Sequence, residues 1–207
     1  MKQNAASPTL RQSLRQGRRA MDAREHARRS AKAGFHLTRH RLFQSARHIA
    51  AYLPNDAELD PTGIMLKAWE MGKTVYLPVL SRHHHNHLHF LPYAPGDKLL
   101  PNRFGIPEPV SRGRRMVRLQ RLDLVLTPLV GFDAQGNRLG MGGGFYDRSF
   151  AFLRRRQAWR KPRLLGLAFD RQKVAPPSGL TRQPWDVPLD GVVTESGLSL
   201  FKSSGQG

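Results

Sequence analysis

Cysteine is missing from all 207 residues. Disulfide bridges and thiolate metal centres are therefore excluded, and the absence suits a reducing compartment. Long apolar runs are missing as well: the longest nearly apolar stretch, Leu124 to Phe132, is too short to cross a bilayer as a helix. The basic N-terminus lacks the apolar centre of a secretory signal. A cytoplasmic chain without membrane contact is the expectation. Acidic residues are scarce, 15 against 34 Lys and Arg, which leaves a formal net charge of +19. A hydrophobic share of 39% and a charged share of 24% exclude wholesale disorder. At this length the expectation is one medium-sized domain with a sizeable core.

The excess charge is partly local. Residues 1–48 hold twelve Lys or Arg against Asp22 and Glu25. Three readings compete: a solvated helix face, a nucleic-acid surface that works by counterion release, and general attraction for small polyanions such as ATP or polyglutamate. An RNA-binding surface calls for aromatics interleaved with the basic residues. Between Thr9 and Gly34 there are none.

Ser7 before Pro8 reads as a helix start, and the helix is expected to run to about Lys32 with Gly34 as its stop. Leu10, Leu14 and Met21 recur near helical spacing beside Arg11, Arg15 and Arg19. Apolar runs at His48–Leu53, Thr74–Val79, Asp123–Val130, Leu164–Ala168 and Gly191–Thr194 read as strands. Helical stretches are expected at Pro61–Met71 and from Phe145 to about Arg156. Strand, helix, strand at the first spacing is a βαβ unit, so the fold class is α/β with a mostly parallel sheet. The His-rich segment His83–Phe90 reads as a hairpin or edge strand. Residues 1–7 and the Ser- and Gly-rich 196–207 are expected to be flexible ends around a single domain at 8–195.

The passage Arg138-Leu-Gly-Met-Gly-Gly-Gly-Phe-Tyr-Asp-Arg148 follows a buried strand and opens a helix, the place where open α/β sheets take ligands. Gly140, Gly142, Gly143 and Gly144 let backbone amides converge on an anion, and a helix N-terminus adds unpaired N–H groups. Neither standard nucleotide pattern fits: there is no G-x-x-x-x-G-K-[ST], and Gly140-x-Gly142 lacks its third glycine. Asp147 suits a phosphate-bound Mg²⁺, although an acid in a first helical turn is favoured whatever its task.

The run from Asp123 through Arg148 resembles the signature of the 5-formyltetrahydrofolate cyclo-ligase family. Leu10-Arg11, the stretch Ala51-Tyr-Leu-Pro-Asn-Asp-Ala-Glu-Leu-Asp60, Phe104-Gly-Ile-Pro-Glu-Pro109 and Trp185-Asp-Val-Pro-Leu-Asp190 extend the similarity in order, over roughly residues 9 to 195. The resemblance implies a three-layer α/β/α domain like the sugar-phosphate isomerase and CoA-transferase group. It implies a monomer that uses ATP and Mg²⁺ to convert 5-formyltetrahydrofolate, with or without a polyglutamate tail, to the 5,10-methenyl form. By similarity Arg11, Arg138, Leu139, Gly140, Met141, Gly142, Gly143, Gly144, Phe145 and Tyr146 hold ATP, with Arg138 and Tyr146 at catalytic positions. Met141 to Phe145, Leu53 and Glu58 contact the folate, and Asp147 and Asp190 bind the metal. The chain departs from the family at Ser7, where many relatives carry a cation, and at Gly143, where some do. At Ser7 the resemblance leaves one phosphate contact either lost or supplied by Arg15 or Lys2. The other readings are a basic RNA-binding protein and an ATP-dependent relative that acts on another metabolite. The five histidines between His83 and His89 could suggest a transition-metal site, but an exposed hairpin accounts for them.

Overall fold

Apolar strands alternate with amphipathic helices along the chain, and that alternation builds a parallel sheet. A computed structural model describes residues 8–81, 83–110, 113, 115–155, 161–175 and 179–201. The ends at 1–7 and 202–207 lie outside it, as do Arg156 and Trp159. The elements are α1 Pro8–Arg19, α2 Ala23–Thr38, α3 Arg41–Ser45, β1 His48–Ala50, α4 Thr62–Glu70, β2 Thr74–Leu80, β3 Leu88–Tyr93, β4 Leu99–Pro101 and β5 Pro107–Pro109. There follow β6 Leu124–Pro128, β7 Gly131–Phe132, β8 Arg138–Leu139, α5 Phe145–Ser149, β9 Arg163–Leu167, β10 Gly191–Thr194 and β11 Gly197–Leu200.

Seven strands form one sheet in the order β11-β10-β9-β6-β1-β2-β3. The five central strands are mutually parallel, while β3 and β11 join antiparallel at the two edges. Side chains alternate across a strand, so each central strand feeds two cores. Ile49, Val75, Leu77, Leu126 and Leu165 pack with Ala33 and Leu37 of α2 and Ile64 and Ala68 of α4. Ala50, Tyr76, Val125, Leu164 and Val192 face the other way, toward Phe150, Leu129, Val187 and Leu189. The expected mostly parallel α/β sheet is present. Its second outer layer is thin, made of α5, a 3₁₀ turn at Ala151–Arg155 and connecting chain.

Three local expectations are corrected. The basic N-terminal helix is two helices, because Asp22 caps α2 by accepting the Glu25 amide at 2.7 Å. Gly34 does not stop α2 but lies buried inside it, facing α4, where a Cβ would sit 3.4 Å from Ile64 Cγ1. The tail is not frayed from residue 196. Gly197–Leu200 add β11 beside β10, Leu198 packs against the first core, and Phe201 N–H donates to the Asp190 carbonyl at 3.0 Å. Composition read this stretch as loose, but alternating leucines on an open strand edge outweigh the flanking Ser and Gly.

The order of the sheet reverses between β1 and β6. The chain leaves β1 toward β2 on one side and leaves β6 toward β9 on the other. A crevice opens at the carboxyl ends of two such strands.

Gly34→Ala tests the helical placement. An added methyl meets Ile64 at ordinary contact distance, and alanine loses less entropy than glycine in a helix interior. The variant should gain about 0.5 kcal/mol and melt roughly 1–2 °C higher by scanning calorimetry.

Candidate active site

Two loops leave the sheet at the reversal, Ala51–Asp60 after β1 and Leu129–Gly144 after β6, and between them lies a cavity of about 470 Å³. Leu53, Leu77, Leu80, Leu88 and Ile106 form apolar wall, and half-exposed Phe104 stands at the rim. The Phe104 ring meets Phe145 edge-on, centroids 6.0 Å apart. Asn102 holds that rim turn by accepting the Phe104 and Ile106 amides at 2.8 and 3.1 Å.

The first loop carries the acids. Asp56 and Ala57 adopt left-handed backbone, φ 53° and 56°, which L-residues take only when their surroundings hold them there. Glu58 Oε2 accepts the Asn55 amide at 3.1 Å. Burial raises the Glu58 carboxyl to about 7, with the Asp56 charge adding and the Asn55 amide and Arg18 opposing. Tyr52 O–H donates to the Leu59 carbonyl at 2.7 Å and is driven well above its ordinary value by burial.

The second loop begins with the β7–β8 hairpin. Asp133, 2% exposed, organises its turn by accepting the Gln135 and Asn137 amides on Oδ1 at 3.0 and 2.9 Å. The glycine run then folds back to α5. Gly144 has φ 63°, and a Cβ there would lie 2.8 Å from Arg148 Nη1. The Gly143 carbonyl accepts from Asn86 Nδ2 at 2.8 Å and Arg148 Nη1 at 2.6 Å, so it is turned toward protein and the loop is pinned from both sides. α5 has five residues where a helix to about Arg156 was expected. A helix this short has little dipole to offer an anion.

Charged groups meet below the loop. Arg138, 8% exposed, donates from Nη2 to Asp147 Oδ1 at 2.6 Å and from Nη1 to the Val187 carbonyl. The same Asp147 oxygen accepts the Val187 amide at 3.0 Å. Asp186 stands near enough that its carboxyl is raised, first by burial and also by the Asp147 charge. Burial keeps the Tyr146 hydroxyl protonated, raising it further in company with Glu58. Arg11 reaches from α1, donating from Nε to the Gly140 carbonyl at 3.1 Å, and its buried Nη2 has no partner among the described residues.

The structure thus gathers Leu53, Glu58, Arg138, Gly140, Met141, Gly143, Gly144, Phe145, Tyr146 and Asp147 around one cavity, with Arg11 behind the loop. Gly142 belongs to the same turn, at φ 103°. Leu139 faces away, fully buried against Val130, Val174 and Leu180. Asp190 is not brought to Asp147. It lies at the amino end of β9, where it accepts the Leu164 amide at 2.8 Å and pairs with Arg163 at 2.7 Å. Arg15 is spoken for by Asp56 at 2.8 Å. Of the histidines, His83, His84, His85 and His87 fall in the turn before β3, and His89 lies in β3. Sequence reasoning missed Tyr52, Asn86, Asp56, Arg18 and Asp186. Asp186 sits in the same short stretch as Asp190, and only the tertiary fold tells which of the two feels the Asp147 charge.

Among the described residues no group of three or more His, Asp or Glu is placed to hold a metal. Mg²⁺ bound with a nucleotide needs less, one or two carboxylates beside phosphates and waters. Asp147 and Asp186 fit that need, since the Asp186 carboxyl, raised by burial and by the Asp147 charge, would be relieved by a cation.

Comparison with known proteins agrees with this architecture. The family described as the 5-formyltetrahydrofolate cyclo-ligase family matches residues 3–195. The chain is 40% identical over 185 residues to the 5-formyltetrahydrofolate cyclo-ligase of Escherichia coli K12, covering 88% of this chain and 97% of that one. It is 38% identical over 185 residues to the enzyme of that name from Haemophilus influenzae, covering 86% and 94%. The solved structure of Aquifex aeolicus 5,10-methenyltetrahydrofolate synthetase superposes with a TM-score of 0.77 at 29% identity, covering 96% of this chain and 94% of that one. With the family match spanning nearly the whole folded region and the switch-point cavity in place, the chain belongs to the 5-formyltetrahydrofolate cyclo-ligase family.

Proposed function

We propose that this chain closes 5-formyltetrahydrofolate to 5,10-methenyltetrahydrofolate with ATP, releasing ADP and phosphate. The observation that carries the reading is a cavity running from an apolar wall beside Glu58 to the glycine loop and Asp147 at the start of α5. A flat heterocycle with N–H donors suits the first end, and a triphosphate the second. The formyl oxygen is a poor leaving group until it takes the γ-phosphoryl group. N10 then attacks the activated carbon, and phosphate departs with that oxygen. Such chemistry asks the protein mainly to hold two ligands in line and to neutralise charge.

Each part has a candidate. Ionised Glu58 accepts neighbouring pterin N–H groups, and Leu53, Leu77, Leu80 and Phe104 flank the rings. Amides of Gly140–Gly144 and the guanidinium of Arg11 receive the phosphates. Tyr146, kept neutral by burial, offers a proton donor beside the formyl oxygen. Arg138 fixes Asp147 through their ion pair. Asp147 and Asp186 would hold Mg²⁺, which supplies charge neutralisation for the phosphoryl group. One chain supplies every wall described, so the proposed working species is a monomer, acting on folate with or without a polyglutamate tail. We assign the reaction to the cytoplasm; among the described residues no helix is long and apolar enough to cross a membrane.

Purified protein mixed with 5-formyltetrahydrofolate, ATP and Mg²⁺ should develop the near-ultraviolet absorbance of the methenyl product. Folded protein that gives none beside a working control would overturn the proposal. Asp147→Asn should lower kcat/KM by about 100-fold or more, as expected for lost charge at a phosphoryl-transfer site, with the circular dichroism spectrum retained. Glu58 gives a pH signature. With its carboxyl at about 7, folate KM should climb as pH falls through that value, and in Glu58→Gln it should be raised about tenfold and flat with pH. Stability should show the opposite face of the same shift. A carboxyl raised on folding leaves stability intact below about pH 4.5 and erodes it as pH rises toward 7. Glu58→Gln should therefore be more stable than wild type in urea above pH ~8, by about 3 kcal/mol at most, and the difference should vanish toward pH ~4.

A further inference from the structure

We propose that Asp56 is a positioning residue for the folate end of the cavity, clamping the Asn55–Glu58 turn to α1 so that Glu58 is held facing the glycine loop. Three arginines of one helix converge on this carboxylate. Oδ2 accepts from Arg15 Nε at 2.8 Å and Arg18 Nη2 at 2.9 Å, while Oδ1 pairs with Arg19. The Asp56 side chain is 9% exposed and Arg18 only 1%, so that pair is buried on both sides, with Arg15 and the more exposed Arg19 closing it from outside. Burial alone would raise the Asp56 carboxyl, but the hydrogen bonds of Arg15 and Arg19 and the charge of Arg18 hold it below its ordinary value.

The clamp stands where the backbone needs holding. Asp56 and Ala57 both keep left-handed φ, a conformation worth roughly 1–2 kcal/mol of strain per L-residue. Glu58 follows directly, closing the turn with its N–H on the Asn55 carbonyl at 3.0 Å. Its own carbonyl is met by His26 Nε2 of α2 at 2.9 Å.

The helix doing the clamping is tied to the opposite wall as well. Arg18 Nη1 donates to the Leu129 carbonyl at 3.2 Å, where the chain leaves β6. Arg11 donates to the Gly140 carbonyl. Leu10 and Leu14 pack on the cluster formed by Val130, Leu139, Val174 and Leu180. One rigid element therefore grips the turn bearing Glu58 and the loop that meets the phosphates, and Asp56 is the folate-side end of that strut. The groups whose charge Glu58 feels are Arg18 from α1 and Asp56 from its own turn. Tyr52 after β1 and Tyr146 of α5, both held neutral, complete its surroundings.

The proposal rests on the cyclo-ligase reading for its kinetic arm only. Asp56→Asn keeps the shape and removes the charge. It should raise KM for 5-formyltetrahydrofolate about tenfold, with kcat within about threefold and KM for ATP not raised. Asp56→Glu should recover part of the loss. In Asp56→Asn without ligand, the Glu58 carboxyl followed by ¹³C NMR should titrate about one unit lower than in wild type, since a neighbouring negative charge is gone and Arg18 is released. A merely structural role would change the melting temperature and leave both KM and that titration in place. Should Asp56→Asn fail to fold, Arg15→Gln combined with Arg19→Gln leaves the buried Arg18 pair and should raise folate KM about threefold. Folded variants with unchanged folate KM and an unchanged Glu58 titration would overturn the proposal. Wild-type protein without turnover would sink the cyclo-ligase reading, and the NMR titration would still decide the role of Asp56.

Discussion

Ile49 pairs with Leu124 and Ala50 with Val125, so β1 and β6 lie side by side and point the same way. A parallel pair cannot be closed by a tight turn, and each strand must send its chain across a face of the sheet before returning. Here the two connections leave in opposite directions, because β1 continues to β2 and β6 to β9. The ends of the two strands are left with nothing of the sheet's own to fill the gap. The cavity, both loops that line it and the helix that braces them all depend on that divergence.

The electrostatics of the cavity follow from how cations are shared among its acids. Asp56 has three guanidinium groups and stays ionised despite burial. Asp147 has Arg138. Glu58 forms no ion pair among the described residues; it feels the charge of Arg18, accepts the Asn55 amide, and is lifted by burial to about 7. Carboxylates of the same intrinsic chemistry are thereby held differently, Asp56 by three arginines, Asp147 by Arg138 and Glu58 by an amide alone. The clamping of Arg15, Arg18 and Arg19 also answers part of the basic composition. These cations are spent on the turn after β1 rather than offered to a nucleic-acid backbone.

Much of the plan was legible along the chain. Strands such as Thr74–Leu80 and Gly191–Thr194 announce themselves by β-branched and aliphatic runs buried on both faces, and the glycine cluster at 140–144 marks a turn with positive φ at Gly142 and Gly144. Where local signals compete, legibility fails. Gly34 reads as a helix stop, but α2 continues through it to Thr38 and buries it against α4. The Ser- and Gly-rich end reads as loose, but Leu198 finds a core to pack against.

The sequence by itself determined the alternation that makes a parallel α/β sheet, the turn chemistry of the glycine loop and the excess of arginine in the first helix, because these depend on neighbours within a few residues. Only the tertiary structure decided which groups meet. It brought Asp186 rather than Asp190 beside Asp147, joined Asp56 to arginines some forty residues earlier, within the spacings of 41 and 38 for Arg15 and Arg18, and left Glu58 short of a cation. Those outcomes depend on the order of strands and on what the fold buries, and neither quantity is carried by any local pattern.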